Sequence, residues 1–330
     1  MQRTLSDIGG RIVAAAFEFF ERPMAAVQRT IGARNVAWAF LLPNLLIFGL
    51  FTFVPIGLNF VYAATGGDRI LLWERPWVGG ENFASLLDCG SYLDPNTCQR
   101  DLFWRAVHNT GWFVVLQVGF MVFFALIAAL ILNKDLPLRG FFRAVFFYPV
   151  LLSPVVVALI WKWILQRNGV LNAGLDAAGF GTVNWLIEAN WAFFWVVFIS
   201  IWAHMGFYVL ILLAGLQAIP ADVYEAAEMD GASKWRVFSR ITMPLLMPTM
   251  VVVLVLALIR AVQAFDEIYV LTGGGPGSAT TLLIQYIYDT GFATRPRLFG
   301  LAAAASILMA VVLFALTLVQ LRATRGRAEG

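Results

Sequence analysis

Six stretches of this chain are long and apolar enough to cross a hydrocarbon layer, and they leave little room for any other kind of fold. A spanning helix needs about 20 mostly apolar residues. The sequence supplies them at 36–63, 111–132, 141–165, 191–213, 245–265 and 298–321. Composition agrees, with 60% hydrophobic and only 13% charged residues, where soluble domains carry about 25% charged. Backbone polar groups inside a bilayer have no water to bond, so helices are the spanning form expected, and the fold class is an all-α polytopic bundle. Pro43 and Pro55 fall in the first stretch and Pro149 and Pro154 in the third; neighbouring helices can re-satisfy the groups they free, so kinks are expected rather than breaks. A net charge of +3, scattered along the chain, leaves no nucleic-acid footprint.

Orientation follows from the basic residues in the connections. Residues 1–35 hold five Lys or Arg, and segments 133–143, 214–244 and 322–330 hold three each. The other connections, 64–110, 166–190 and 266–297, hold four, one and two. Both termini and the 214–244 loop are therefore expected in the cytoplasm, and the 64–110 loop outside. Domain organisation is a cytoplasmic tail (1–35), a transmembrane domain (36–321) and a second short tail (322–330). Asp7, Glu18 and Glu21 interrupt the first segment, which argues against a secretory signal. Its stretch RIVAAAFEFFERPMAAV is expected as a helix lying on the membrane, with a plain cytosolic tail as the alternative. Cys89 and Cys98 share the outer loop, where a disulfide persists; a bridge is expected over two free thiols, and the spacing does not suit a metal.

The 214–244 connection is far longer than the 2–8 residues or so that join helices in most bundles. It reads as two helices. Pro220 suits a first turn, and Asp222 with Glu225 suggests a capping-box-like pair. Ala221, Ala226 and Ala227 give a flat flank that another backbone can approach. Gly231 is placed to take positive φ and end the first helix. Ser233 is placed to cap a second, SKWRVFSRITM, whose apolar face is Trp235, Val237, Phe238 and Ile241, with Pro244 closing it before the fifth span.

The order EAA, three residues, Gly, nine residues, Ile, one residue, Met-Pro closely resembles the EAA signature of ABC importer permeases; Met243 stands where that family prefers Leu. FLLPNLLIFGLFTFVPI, WVGGENF, HNTGWF, LRGFFRAVFFYPVLLSPVVVALIWKWIL and FDEIYVLTGGGPGSATTLLIQYIY extend the resemblance from about residue 36 onward, toward the branch that imports sugars or glycerol-phosphate-type solutes. The resemblance implies a six-helix type I permease in a bacterial inner membrane. It also implies that Glu225, Ala226, Ala227, Asp230 and Gly231 lie at or beside the contact with a separate ATPase. The partners implied are a second permease, an ATPase dimer that binds the ATP and Mg, and an extracytoplasmic solute-binding protein, within membrane lipid. No cofactor is implied for this chain, nor an enzymatic activity of its own.

The remaining motifs narrow the alternatives. GGGPGSATT lacks the Gly-Lys-Ser/Thr ending of a phosphate loop and reads as a turn on the outer side. No Walker A, HExxH or nucleophile elbow occurs. An ion-coupled secondary carrier is the alternative class, but the spans hold almost no mid-depth carboxylate and show no evident repeat. A cation at mid-membrane costs about 2.5–3.5 kcal/mol on insertion scales, so Lys162 should snorkel to a surface and Arg260 should face protein or water, with Asp266 or Glu267 as partner. His204 and Tyr208, one turn apart, together with Arg260, Gln263, Gln117 and Ser153, are the candidate lining of a solute pathway. His108 reads as an interface residue.

Overall fold

The computed structural model describes Gln28 and residues 32–134 and 137–328. The expected surface helix at 11–27 lies outside that range. Residues 1–61 and 62–330 form two compact units. In the first, α1 (Ala33–Phe48) runs through a widened π turn, Gly49–Phe53, into α2 (Val54–Ala63). A proline ring crowds the carbonyl four residues earlier, and the wider coil ahead of Pro55 gives it room, so the span stays continuous. Its Leu46, Leu50, Phe51 and Phe53 are exposed, an apolar surface that suits lipid as solvent.

The second unit continues as α3 (Glu81–Leu87), α4 (Asp101–Leu132), α5 (Arg139–Phe147), α6 (Pro154–Leu165), α7 (Val170–Ala177) and α8 (Ala189–Gln217). After these come α9 (Ala221–Met229), α10 (Lys234–Val237), α11 (Met243–Val262), α12 (Asp266–Thr272), α13 (Leu283–Tyr288) and α14 (Phe299–Ala328). Among the described residues, five helical stretches can cross a membrane by length and composition: Leu41–Ala63, Asp101–Leu132, Ala189–Gln217, Lys234–Val262 and Phe299–Gln320. A sixth is added if Arg139–Leu151 and Pro154–Ala177, bent by 100°, count as one.

Two expectations about the spans need correction. The second helix starts at Asp101, well ahead of its apolar run. The third span is broken rather than kinked. Leu152 and Ser153 take extended backbone (ψ 143° and 136°), because the residue before a proline is pushed out of the helical region and Pro149 and Pro154 both lack a donor.

The core lies where α4, α8 and α11 meet, and Phe113, Met121, Tyr208, Leu212, Leu246 and Val253 are buried there. Lipid is as apolar as leucine, so helix association in a membrane leans on close packing by small residues. Gly206 of α8 illustrates this: a Cβ there would stand 2.1 Å from the Phe146 carbonyl oxygen of α5.

Polar pins fix the connections. Asn172, 1% exposed, donates from Nδ2 to the carbonyls of Gln166, Arg167 and Val183. Its Oδ1 accepts from Val183 N and Trp185 Nε1. Arg75 is buried; its Nε donates to Thr65 Oγ1 (2.8 Å) and its Nη2 to the Thr65 carbonyl (3.2 Å). Its guanidinium carbon sits 5.2 Å from the Tyr62 ring centroid and 5.7 Å from that of Phe299. Burial pulls its pKa below the usual value, against the pull of Tyr62 and Asp68; a guanidinium stays charged regardless. Lys162 is exposed, and its Nζ donates to the Val270 carbonyl (3.1 Å), in the last turn of α12, where a cation meets the negative helix end. Cys89 and Cys98 are joined by a disulfide.

Candidate functional site: a helical elbow and a polar cavity

Between α8 and α11 the chain makes an elbow whose bonds are nearly all local. Pro220 takes the N-cap position of α9 and offers no side-chain cap. The expected Asp222–Glu225 capping pair is therefore absent. Both residues already lie inside the helix, too far along to reach its first free N–H groups; Asp222 sits in the first turn instead, where the helix end favours an acid. The other end of α9 is a Schellman closure: Gly231 N donates to Glu228 O (3.0 Å) and Ala232 N to Ala227 O (3.0 Å). Gly231 has φ +66°, a conformation that a Cβ would strain. Ser233 Oγ accepts from Arg236 N (3.4 Å) and caps α10.

The second piece of the loop is not a separate helix. A π turn, Phe238–Thr242, carries α10 straight into α11, and Pro244 lies in the first turn of α11 without closing anything. The wider turn again makes room for the ring. Of the residues expected to face an ATPase, Glu225, Ala226, Asp230 and Gly231 are exposed, whereas Ala227 is buried. Ala227 lets α9 sit close to its own chain. Tyr224 supports the same seat through a hydroxyl contact with Thr242 Oγ1 (3.3 Å). Met229, unforeseen from sequence, is 89% exposed; a large apolar residue at the end of a polar helix was the available signal.

A cavity of about 530 Å³ lies where the broken third span meets α8, α11 and α12. His204, Tyr208, Arg260 and Gln263 all line it. Gln117 and Ser153 are not among the lining: Gln117 is buried in α4, donating to Met121 Sδ (3.4 Å), and Ser153 begins α6 with its side chain exposed. Sequence reasoning missed Ser200 and the proline-rich break at 149–154 that forms one wall. Ser200 was findable, since Ser200, His204 and Tyr208 follow one another at helical spacing.

The partner expected for Arg260 is also corrected. Its guanidinium donates to His204 Nε2, while Glu267, buried in α12, accepts from Ser200 Oγ (3.3 Å). The helix ends at Val262 and Phe265 breaks the coil (φ −147°, ψ −61°), which turns the Glu267 carboxylate toward Ser200. His204 Nδ1 lies 2.8 Å from the Ser200 carbonyl, where an N–H donates, which leaves Nε2 placed to accept from Arg260. The wall thus offers a cation, carboxylates, a phenol and an amide, a set suited to hydrogen-bonding a polar solute in passage.

The glycine-rich turn after α12 folds inward. Thr280 and Thr281 are buried, Thr280 Oγ1 donates to Gly275 O (2.8 Å), and Asn109 of α4 holds the carbonyls of Ser278 (2.8 Å) and Thr281 (3.1 Å). His108, one residue earlier, meets the Tyr92 carbonyl (2.8 Å).

Comparison with known proteins identifies the family of the chain. Residues 121–327 match the family described as the binding-protein-dependent transport system inner membrane component. The trehalose/maltose transport system permease protein MalF of Thermococcus litoralis is 36% identical over 299 residues, covering 89% of this chain and 95% of that one. A bacterial ABC transporter involved in import of the acidic polysaccharide alginate gives a TM-score of 0.76 at 27% identity, covering 91% of this chain and 98% of its counterpart. The alginate transporter in complex with an alginate pentasaccharide-bound periplasmic protein gives 0.73 at 26% identity, covering 89% and 95%. This chain belongs to the family of binding-protein-dependent inner-membrane components, the permease subunits of ABC importers.

Proposed function

We propose that this chain forms half of the translocation pathway of an ATP-driven importer for a carbohydrate or a related polyol or glycerol-phosphate-type solute. A second permease supplies the other half. An extracytoplasmic binding protein delivers the solute, and two ATPase subunits bind ATP and Mg on the cytoplasmic side, where both termini lie. The observation that carries this reading is α9, a short polar helix with Glu225, Ala226 and Met229 exposed, closed by Gly231 and held between two long apolar helices. Helices held this way move as rigid bodies and convert a remote nucleotide state into rearrangement of a bundle. The cavity beside His204, Tyr208, Arg260 and Gln263 is the solute's path in this subunit. The carbohydrate class is supported by the trehalose/maltose and alginate relatives, and the binding-protein partner by the alginate complex. Family membership leaves the ion-coupled alternative without an observation in its favour.

The test is uptake by the chain reconstituted with its ATPase, partner permease and binding protein. Gly231→Val should cut uptake roughly tenfold or more and leave ATP hydrolysis unresponsive to solute, with insertion into the membrane unchanged. Uptake that survives removal of the ATPase subunits overturns the reading.

A further inference from the structure

We infer that Arg139, Arg143 and Gln217 are positioning residues that make α5 a strut between the elbow and the cavity; this rests on the reading that α9 docks an ATPase. Gln217 is the last residue of α8, and only Ala218, Ile219 and Pro220 separate it from α9. With its amide oxygen turned toward α5, Gln217 accepts from Arg139 Nη2 (2.8 Å) and Arg143 Nη2 (2.9 Å). The two arginines are one turn apart on α5 and share a face. They also sit at the C-terminus of a 29-residue helix, whose free carbonyls favour cations. Two like charges converge there because one oxygen and one helix end attract both.

Leu138, immediately before Arg139, holds φ +61°. That conformation is strained for a branched side chain, and such strain persists only where neighbours over-determine it. The bond that the next residue, Arg139, donates to the Gln217 oxygen is such a constraint.

The far end of α5 is fixed to the same helix. Gly206 leaves no room for a Cβ against the Phe146 carbonyl, and Pro149 and Val150, in the turn that follows α5, line the cavity. α5 is therefore fastened to α8 at both ends, one beside the elbow and one beside the cavity wall. A displacement of α9 is shared by the pair instead of being lost in bending of the last turn of α8.

The experiment compares solute imported per ATP hydrolysed in proteoliposomes holding the complete transporter. Gln217→Leu should lower that ratio about fivefold or more, with co-purification of the ATPase unchanged. Gln217→Glu keeps an oxygen acceptor for both guanidinium groups and should keep the ratio. An unchanged ratio in Gln217→Leu, or equal loss in Leu and Glu variants, overturns the inference. If the Leu variant does not assemble, Gln217→Asn carries the test, since it keeps the amide but withdraws the oxygen; an unchanged ratio there overturns it equally. A wild-type chain that neither binds an ATPase nor imports with ATP sinks the docking reading and the strut together, whereas wild-type coupling with an unaltered Leu variant sinks the strut alone.

Discussion

The elbow and the connections at 166–188 and 273–283 solve the same problem in different ways. Each must satisfy backbone groups where no long helix does so. At the elbow the partners are near in sequence: Gly231 with Glu228, Ala232 with Ala227, Ser233 with Arg236. In the other two connections a few buried side chains serve many groups at once, and some reach far along the chain. Asn172 serves five; Asn109 and Thr110 of α4 hold a segment some 170 residues away. Local caps are individually replaceable, whereas a hub that fails leaves several buried groups without partners at once.

That difference sets an order of mutational cost. Asn172→Ala should be the most damaging, about 3 kcal/mol or more, because Trp185 Nε1 and Val183 N lose their acceptor in a buried place. A thermal melt of the purified chain measures it. Next is Thr110→Val, which keeps the shape but removes the hydroxyl that accepts from Leu283 N (2.9 Å); about 2 kcal/mol should be lost, with Thr110→Ser close to wild type in the same melt. Smallest is Ser233→Ala, at about 1 kcal/mol, read as earlier exchange of the Arg236 amide hydrogen. A melt in which Ser233→Ala cost as much as Asn172→Ala would break the contrast between local caps and buried hubs.

The same contrast explains what the sequence disclosed. The spans were visible because apolar length is a property of contiguous residues, and the closure at Gly231 because its signals lie within a few positions. The break at Leu152–Ser153 was not, since prolines in a membrane helix are compatible with either a kink or a break until the neighbours are known. His204, Tyr208, Arg260 and Gln263 were chosen for polarity at depth, an argument that needs no partner, and they line one cavity. Gln117, chosen by the same argument, lies outside that cavity and donates to Met121 Sδ, and Arg260 was paired with a carboxylate when an imidazole was nearer. The elbow's second piece was misread because a helix-ending role was assigned to Pro244, while the coil had already widened ahead of it.

That widened turn has a geometric consequence. Each residue in an ordinary α-helix advances about 100° around the axis, so a stretch bonded at the longer interval falls out of phase with the ordinary wheel. Phe238–Thr242 therefore acts as a phase shifter between the elbow and the face of α11 that carries Arg260. Deleting a single residue there would let the turn close at the ordinary interval and leave an unbroken helix whose two parts keep nearly their present facing, because the wide turn uses one residue more for about the same rotation.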